Sequence, residues 1–300
     1  MGRRTSAAEG QHISPRGRGV RALGRVFSEV LGSEVAVPDV PKRIVSFSPA
    51  ATETLFKIGL GDEVAAVSAF CARPPEAKNK RRIGSYNTVR EDLLDELKPD
   101  LIFTVTGYQR DFALRLSKRY PVYPLELPLS VAGIADFVVK VGLVAGAPDR
   151  GRGVAADLLR ALGGARKVAG VRSYVEIDLG GPVSFGAYSY ITDAFKFLGS
   201  SHIYEDARSE WLKPDLNAVA KEDPDAVFYE PKMYSEFGES DIGAFVISRR
   251  WRDLRAAKLG NVFLTPRPLD FLAHHGPSFI TEALPWLEGR LRMAKERIGS

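Results

Sequence analysis

Seven aromatic side chains stand outside the apolar stripes of this chain. Tyr86, Tyr108, Phe185, Tyr188, Tyr190, Trp211 and Phe271 fall in loops or at strand ends. Side chains of this kind hold large planar ligands, adding contact area and a few hydrogen-bonding tips. Core packing is the equal alternative for any one of them. Ser48 and Pro49 are a second candidate. A short apolar strand, Ile44 to Ser48, runs straight into a helix there, and in open α/β sheets ligands bind beyond the carboxyl ends of such strands. The positive helix end lies behind them. The same two residues also serve the helix itself, Ser48 as N-cap and Pro49 at the first position.

Covalent chemistry finds little support. There is no Gly-x-Ser-x-Gly elbow, no P-loop and no Gly-x-Gly-x-x-Gly after a strand. Gly180-Gly181-Pro182 reads as a turn. Cys71 is the only cysteine, which excludes an internal disulfide and argues against a cysteine-based structural zinc site. Of the histidines, His274 and His275 are adjacent, so in an extended segment they point opposite ways. That is poor geometry for a bare metal. One of the pair facing a ligand and a capping role before Gly276-Pro277 both remain open. No catalytic residue, metal site or cofactor is expected.

A chain of 300 residues can bury a substantial core in one large or two smaller domains. The net charge of +5 is spread through the chain, with Lys and Arg usually beside Asp or Glu. That pattern describes solvated faces, not a nucleic-acid footprint. No apolar run is long enough to span a membrane. The start is basic and Gly-rich, with Arg3, Arg4, Arg16, Arg18 and Arg21, but without the apolar stretch of a secretory signal. The chain as written therefore reads as cytoplasmic, or its start is misplaced relative to a real signal. The first twenty residues are expected to be disordered, and Val20 to Leu31 to form a short amphipathic helix. Asn and Gln are scarce in an Arg-rich chain, a composition that points to a thermophile.

From Lys42 an α/β pattern takes over. Ala51, Leu55 and Ile58 recur at helical spacing, and Gly59 suits a left-handed C-cap. Strands are expected at 64–69, 101–105 and 122–127, with helices at 90–97 and 111–119. A helix over 130–145 breaks at Gly146-Ala147-Pro148 and restarts to about Val168, weakened by Gly151, Gly153, Gly163 and Gly164. A second α/β set follows, with strands at 174–179, 226–229 and 262–265. The last helix, 278–298, should kink or split at Pro285. The stretches 93–103 and 218–228 both read helix, Pro-Asp, apolar strand. That repeat fits two similar lobes with a cleft between them.

The run PKRIVSFSPAATETLFKIGLGDEVAAVS resembles the opening of substrate-binding proteins of the ferric-siderophore, haem and cobalamin ABC importers. RRIGSYNTVREDLLDELKPDLIFTVTG, YVEIDLGGPVSFGAYSYITDAFKFLGSSHIY and KEDPDAVFYEP extend the match in the same order. The resemblance implies two three-layer α/β lobes with parallel sheets, joined by a long connecting helix, with the ligand cleft between them. It divides the chain into a basic segment over 1–36, an N-terminal lobe over 37–129, a connecting helical segment over 130–170 and a C-terminal lobe over 171–300. Residues 42–291 form one binding domain.

The implied function is non-catalytic binding of a metal chelate, cobalamin-like or a ferric siderophore, for delivery to an ABC importer. The implied protein is a monomer outside the cytoplasm. Tyr86 and Trp211 match positions where cobalamin binders place ligand-facing aromatics. Phe70, Asp270 and His274 match ligand-contacting positions, whereas Val105 replaces an aromatic. With Ser48, Pro49, Tyr108, Phe185 and Tyr188 they complete the candidate ligand set. In the family each lobe offers a carboxylate to permease arginines. The match is Asp92, beside Glu91, in the first lobe. In the second it is Asn217, which carries no charge, with Asp215 two residues away. The two acids at 91 and 92 equally suit a helix N-terminus. Two alternatives stay open: a cytoplasmic corrinoid or chelate carrier, and a chelatase-like metallo-enzyme on a related fold.

Overall fold

The structure, a computed structural model, describes residues 23–299; the expectation of disorder over the first twenty residues lies outside them. The chain opens with β1 (Leu23–Ser28) and β2 (Ser33–Pro38), an antiparallel hairpin with Leu23 opposite Pro38. From Leu23 on, the expected helix over Val20–Leu31 is thus corrected to strand and turn, and residues 23–36 are folded. The physical reason is period two: Val35 and Val37 point into the core, and Gly32 takes the positive φ that reverses the chain.

The first lobe comprises β3 (Ile44–Ser46), α1 (Pro49–Lys57), β4 (Val64–Ser68), β5 (Arg81–Gly84), α2 (Glu91–Leu97), β6 (Leu101–Val105), α3 (Arg110–Leu116) and β7 (Val122–Leu125). Its sheet is parallel throughout, in the order β5-β4-β3-β6-β7. One face packs Leu55 of α1; the other packs Leu94 of α2 and Phe112 of α3 around Phe47.

The connection is a pair of helices, α4 (Gly133–Val144) and α5 (Pro148–Gly163). α4 serves both lobes. Phe137, Val141 and Val144 enter the first core, while Ile134, Ala135 and Val138 enter the second. Leu158 and Leu162 of α5 join the second. Gly151 belongs to a close contact: a Cβ on Gly142 would lie 2.8 Å from the Cα of Gly151. The glycine that weakens α5 as an isolated helix lets the two backbones meet.

The second lobe comprises β8 (Arg172–Asp178), β9 (Pro182–Phe185), α6 (Tyr190–Phe197), β10 (Ser201–His202), β11 (Trp211–Leu212), α7 (Leu216–Glu222), β12 (Ala226–Glu230), α8 (Ile242–Ser248), α9 (Arg255–Lys258), β13 (Val262–Leu264) and α10 (Leu284–Gly299). Its sheet runs β11-β9-β8-β12-β13, with β10 also on β8. β8, β10, β12 and β13 are parallel, but β9 and β11 are antiparallel. The second sheet is therefore mixed. Gly180 and Gly181, both at positive φ, fold the chain straight back after β8. A π-helical turn over Phe279–Ala283 leads into α10. Pro285 has no N–H for the carbonyl four residues back, so the regular ladder begins late.

The two Pro-Asp units do the same work in each lobe. α2 and α7 both end in a left-handed residue, Lys98 and Asp223, immediately before the proline. The Asp100 carboxylate then accepts from the N–H groups of Lys42 and Arg43 at 2.9 and 2.8 Å. The Asp225 carboxylate accepts from the N–H of Arg172 at 2.9 Å. Each aspartate pins the entry to the first strand of its lobe, which places the opposite, carboxyl ends of those strands at the cleft.

Candidate functional site

Six loops converge on a cavity of about 330 Å³. From the first lobe, Pro49 follows β3, Phe70 follows β4, and Tyr86 with Asn87 follows β5. From the second, Asp178 and Leu179 end β8, Lys232 and Met233 follow β12, and Asp270, Ala273, His274 and His275 follow β13. All six segments sit at the carboxyl ends of parallel strands, where ligands of open α/β sheets bind.

The first-lobe wall is aromatic. Phe70 and Tyr86 meet edge to face, with ring centroids 6.0 Å apart. Buried Gln109 fixes this wall. Its amide donates to the carbonyls of Phe47 at 2.9 Å and Tyr86 at 2.5 Å, and its oxygen accepts from the N–H of Val105 at 2.8 Å. Burial pushes the Tyr86 hydroxyl up, and the nearby charge of Asp270 adds to the shift.

The second-lobe wall is acidic. Burial raises the Asp270 carboxyl, with the charges of His274 and Arg73 only partly opposing. Glu230, at the end of β12, accepts from the N–H groups of Leu272 and Ala273 and so holds the loop that carries Asp270. Burial, then the charge of Asp270, raises it too.

At the floor the lobes are tied together. Glu53 of α1 lies 2.6 Å from the Nε2 of His274, and accepts from the backbone N–H and the hydroxyl of Ser278 at 2.9 and 3.0 Å. Burial alone would raise the Glu53 carboxyl, but the His274 hydrogen bond and charge, Ser278 and Arg73 outweigh it, so its pKa is lowered. His275 lies between Phe137 and Tyr190, with ring centroids at 5.3 and 6.0 Å. Its Nε2 is buried with no hydrogen-bond partner among the described residues. Burial, with the charge of His274, lowers its pKa to about 3, so the ring is neutral.

Of the sequence-derived ligand set, Pro49, Phe70, Tyr86, Asp270 and His274 line this cavity. Ser48 is fully buried and caps α1, accepting from the N–H of Ala51 at 3.1 Å. Phe185 packs into the second core. Tyr188 and Trp211 are exposed side chains outside the cavity lining. The Tyr108 side chain lies outside the described residues. Glu210, just before Trp211, faces the first lobe, 3.9 Å from where a Cβ on Gly107 would stand. Of the docking acids, Asp92 pairs with Arg90 and Glu91 with Arg119, both at 2.6 Å on the exposed face of α2. Asp215 caps α7 through the N–H of Asn217 at 2.9 Å.

Sequence reasoning passed over Glu53, Gln109, Asp178, Lys232 and Met233, and weighed His275 only as one of the His274–His275 pair. Glu53 had a signal, as an acid between the apolar positions Ala51 and Leu55 of α1. Lys232 and Met233 follow the second Pro-Asp strand and were findable by the strand-end rule. Among the described residues, no group of three or more His, Cys, Asp or Glu side chains is placed to hold a metal ion, and no helix is long and apolar enough to cross a membrane.

Residues 44–269 match the family model described as periplasmic binding protein. A vitamin B12-binding protein of Vibrio cholerae is 23% identical over 215 residues, covering 70% of this chain and 78% of the relative. Among solved structures, a periplasmic haem-binding protein from Roseiflexus superposes with a TM-score of 0.70 at 21% identity, over 85% of this chain and 99% of that one. A petrobactin-binding protein from Bacillus subtilis gives 0.68 at 18% identity, over 89% and 98%. Members of this group are binding proteins, not enzymes. Two α/β lobes, a cleft at the strand ends and a family match across most of both lobes lead to one assignment: this chain belongs to the periplasmic binding protein family.

Proposed function

We propose that the chain captures a metal chelate in the interlobe cleft and delivers it to an ABC importer outside the cytoplasm. The convergence of strand ends from both lobes on an aromatic wall facing a polar one carries this reading. Phe70 and Tyr86 offer ring surface to the flat or greasy side of a chelate, and Asp270, Asp178 and Lys232 address its polar fringe. The names of the relatives support the ligand class. A corrinoid-sized ligand exceeds 330 Å³ and extends towards the exposed rings of Tyr188 and Trp211. Equilibrium titration with cyanocobalamin, haemin and ferric siderophores tests the reading. Saturable binding of one class supports it, and binding of none overturns it.

Delivery requires docking. Glu91 and Asp92 on α2 and Asp215 beside Asn217 are the candidate contacts. Rim charges chiefly steer encounter, so their effect fades with salt. Charge reversal at Asp92 should slow association with a reconstituted permease more than reversal at Asp215, whose carboxylate is engaged in capping α7. Unchanged rates at low salt for both would favour a cytoplasmic carrier instead.

A further inference from the structure

We propose that the cleft selects by charge, admitting chelates that carry no net negative charge and are fringed with N–H donors while excluding polyanionic ones. This rests on the function proposed above and narrows its ligand class. Asp178 and Asp270 line the cavity, and the charges of Asp270 and Glu210 act on both Tyr86 and Tyr190. Glu230, behind them, is raised to about 8 by burial and the Asp270 charge, so it adds no full charge at neutral pH. Against these stand few cations. Lys232 is exposed at the rim, and Arg73 divides its charge between Asp270 and Glu53. His274 is held by Glu53 and His275 is neutral.

The hydrogen bonding agrees. The carboxylates Asp100, Asp225, Asp215, Glu53 and, at the cavity itself, Asp178 are each bonded to backbone N–H groups. The side-chain oxygens of Asp270 and Glu210 accept no hydrogen bond among the described residues, although burial raises both groups. They are half-buried acceptors that the donors of the lining, Asn87 and Lys232, do not reach. An amide or ammonium fringe satisfies them. A ligand carboxylate or catecholate would bring like charge into a place where water is scarce, and like charges in such a place repel strongly.

The test compares ligands matched in size but not in charge. Cyanocobalamin is set against its monocarboxylate, in which one side-chain amide is hydrolysed. A monocationic ferric trihydroxamate is set against a trianionic ferric tricatecholate. The wild type should bind the less negative member of the pair it recognises at least about tenfold more tightly at low salt. The gap should shrink with added salt, and in Asp270→Asn and Glu210→Gln. Equal or tighter binding of the more negative member overturns the charge filter alone, as does a gap that neither salt nor the variants alter. If no chelate binds, the function proposed above fails and the filter falls with it.

Discussion

Glu53 and His274, separated by 221 residues in sequence, meet at 2.6 Å and join the two lobes at the floor of the cleft. Glu53 also receives the N–H and hydroxyl of Ser278, so one carboxylate organises the loop that carries four lining residues. Gly276 sits so close to it that a Cβ there would be 2.3 Å from the Oε2. This junction between the lobes is therefore held by hydrogen bonds and a charge, not by apolar packing alone.

Replacing Glu53 by Ala should destabilise the protein by about 3–5 kcal/mol, the range for removing one partner of a buried pair. The pH dependence has a definite sign. The folded pKa of Glu53 lies below its usual 4.5. Its stabilisation is present above that unfolded value and is lost as pH falls through the lower, folded value. Denaturant unfolding between pH 6 and 3 should show a flatter acid limb in Glu53→Gln than in wild type. Identical slopes would show that Glu53 does not carry this linkage.

Gln109 is a positioning residue for Tyr86. Gln109→Leu leaves the N–H of Val105 and the carbonyl of Phe47 buried without this partner, at about 1–3 kcal/mol for each group. Ligand affinity should fall together with stability. Gln109→Glu keeps the acceptor for Val105 but loses both donors, so it should weaken ligand binding while retaining part of the stability. Chemical denaturation and titration on the same preparations separate the two effects.

Asp100→Ala and Asp225→Ala should each cost about 1–3 kcal/mol, because each strips a strand entry of its N–H acceptor. Similar losses in the two lobes, read from unfolding midpoints, would mark them as equivalent. A loss confined to one lobe would end that equivalence.

Gly142→Ala and Gly151→Ala should each destabilise by about 1–3 kcal/mol through overpacking of α4 on α5. Gly153→Ala, with open space around its Cβ position, should instead stabilise by up to about 1 kcal/mol. Thermal unfolding of the three variants checks the contrast.

Most of the architecture was legible because it rests on local pattern. The strand–Ser48–Pro49–helix unit, the left-handed Gly59 and the paired Pro-Asp loops each follow from short-range chemistry. The hairpin over 23–38 was misread because Val20–Leu31 admits a helical stripe, while Val35 and Val37 declare period two only once a partner strand is known. The mixed sheet was missed for a related reason. Gly180-Gly181 was read as a turn, but nothing local says that the returning chain pairs with β8. In the cleft, Tyr86 and Asp270 came from resemblance and loop position. Glu53 and Gln109 escaped because His274 and Phe47, which they bond, lie 221 and 62 residues away, and only the fold brings them together.

The most direct test of the central claim is calorimetric titration of the purified protein with the chelates named above, in parallel with Tyr86→Ala. The account predicts saturable binding of one chelate class at one ligand per chain. It also predicts a loss of about 1–3 kcal/mol on removing the Tyr86 ring. Heat without saturation for every chelate, or equal affinity in wild type and Tyr86→Ala, would contradict it.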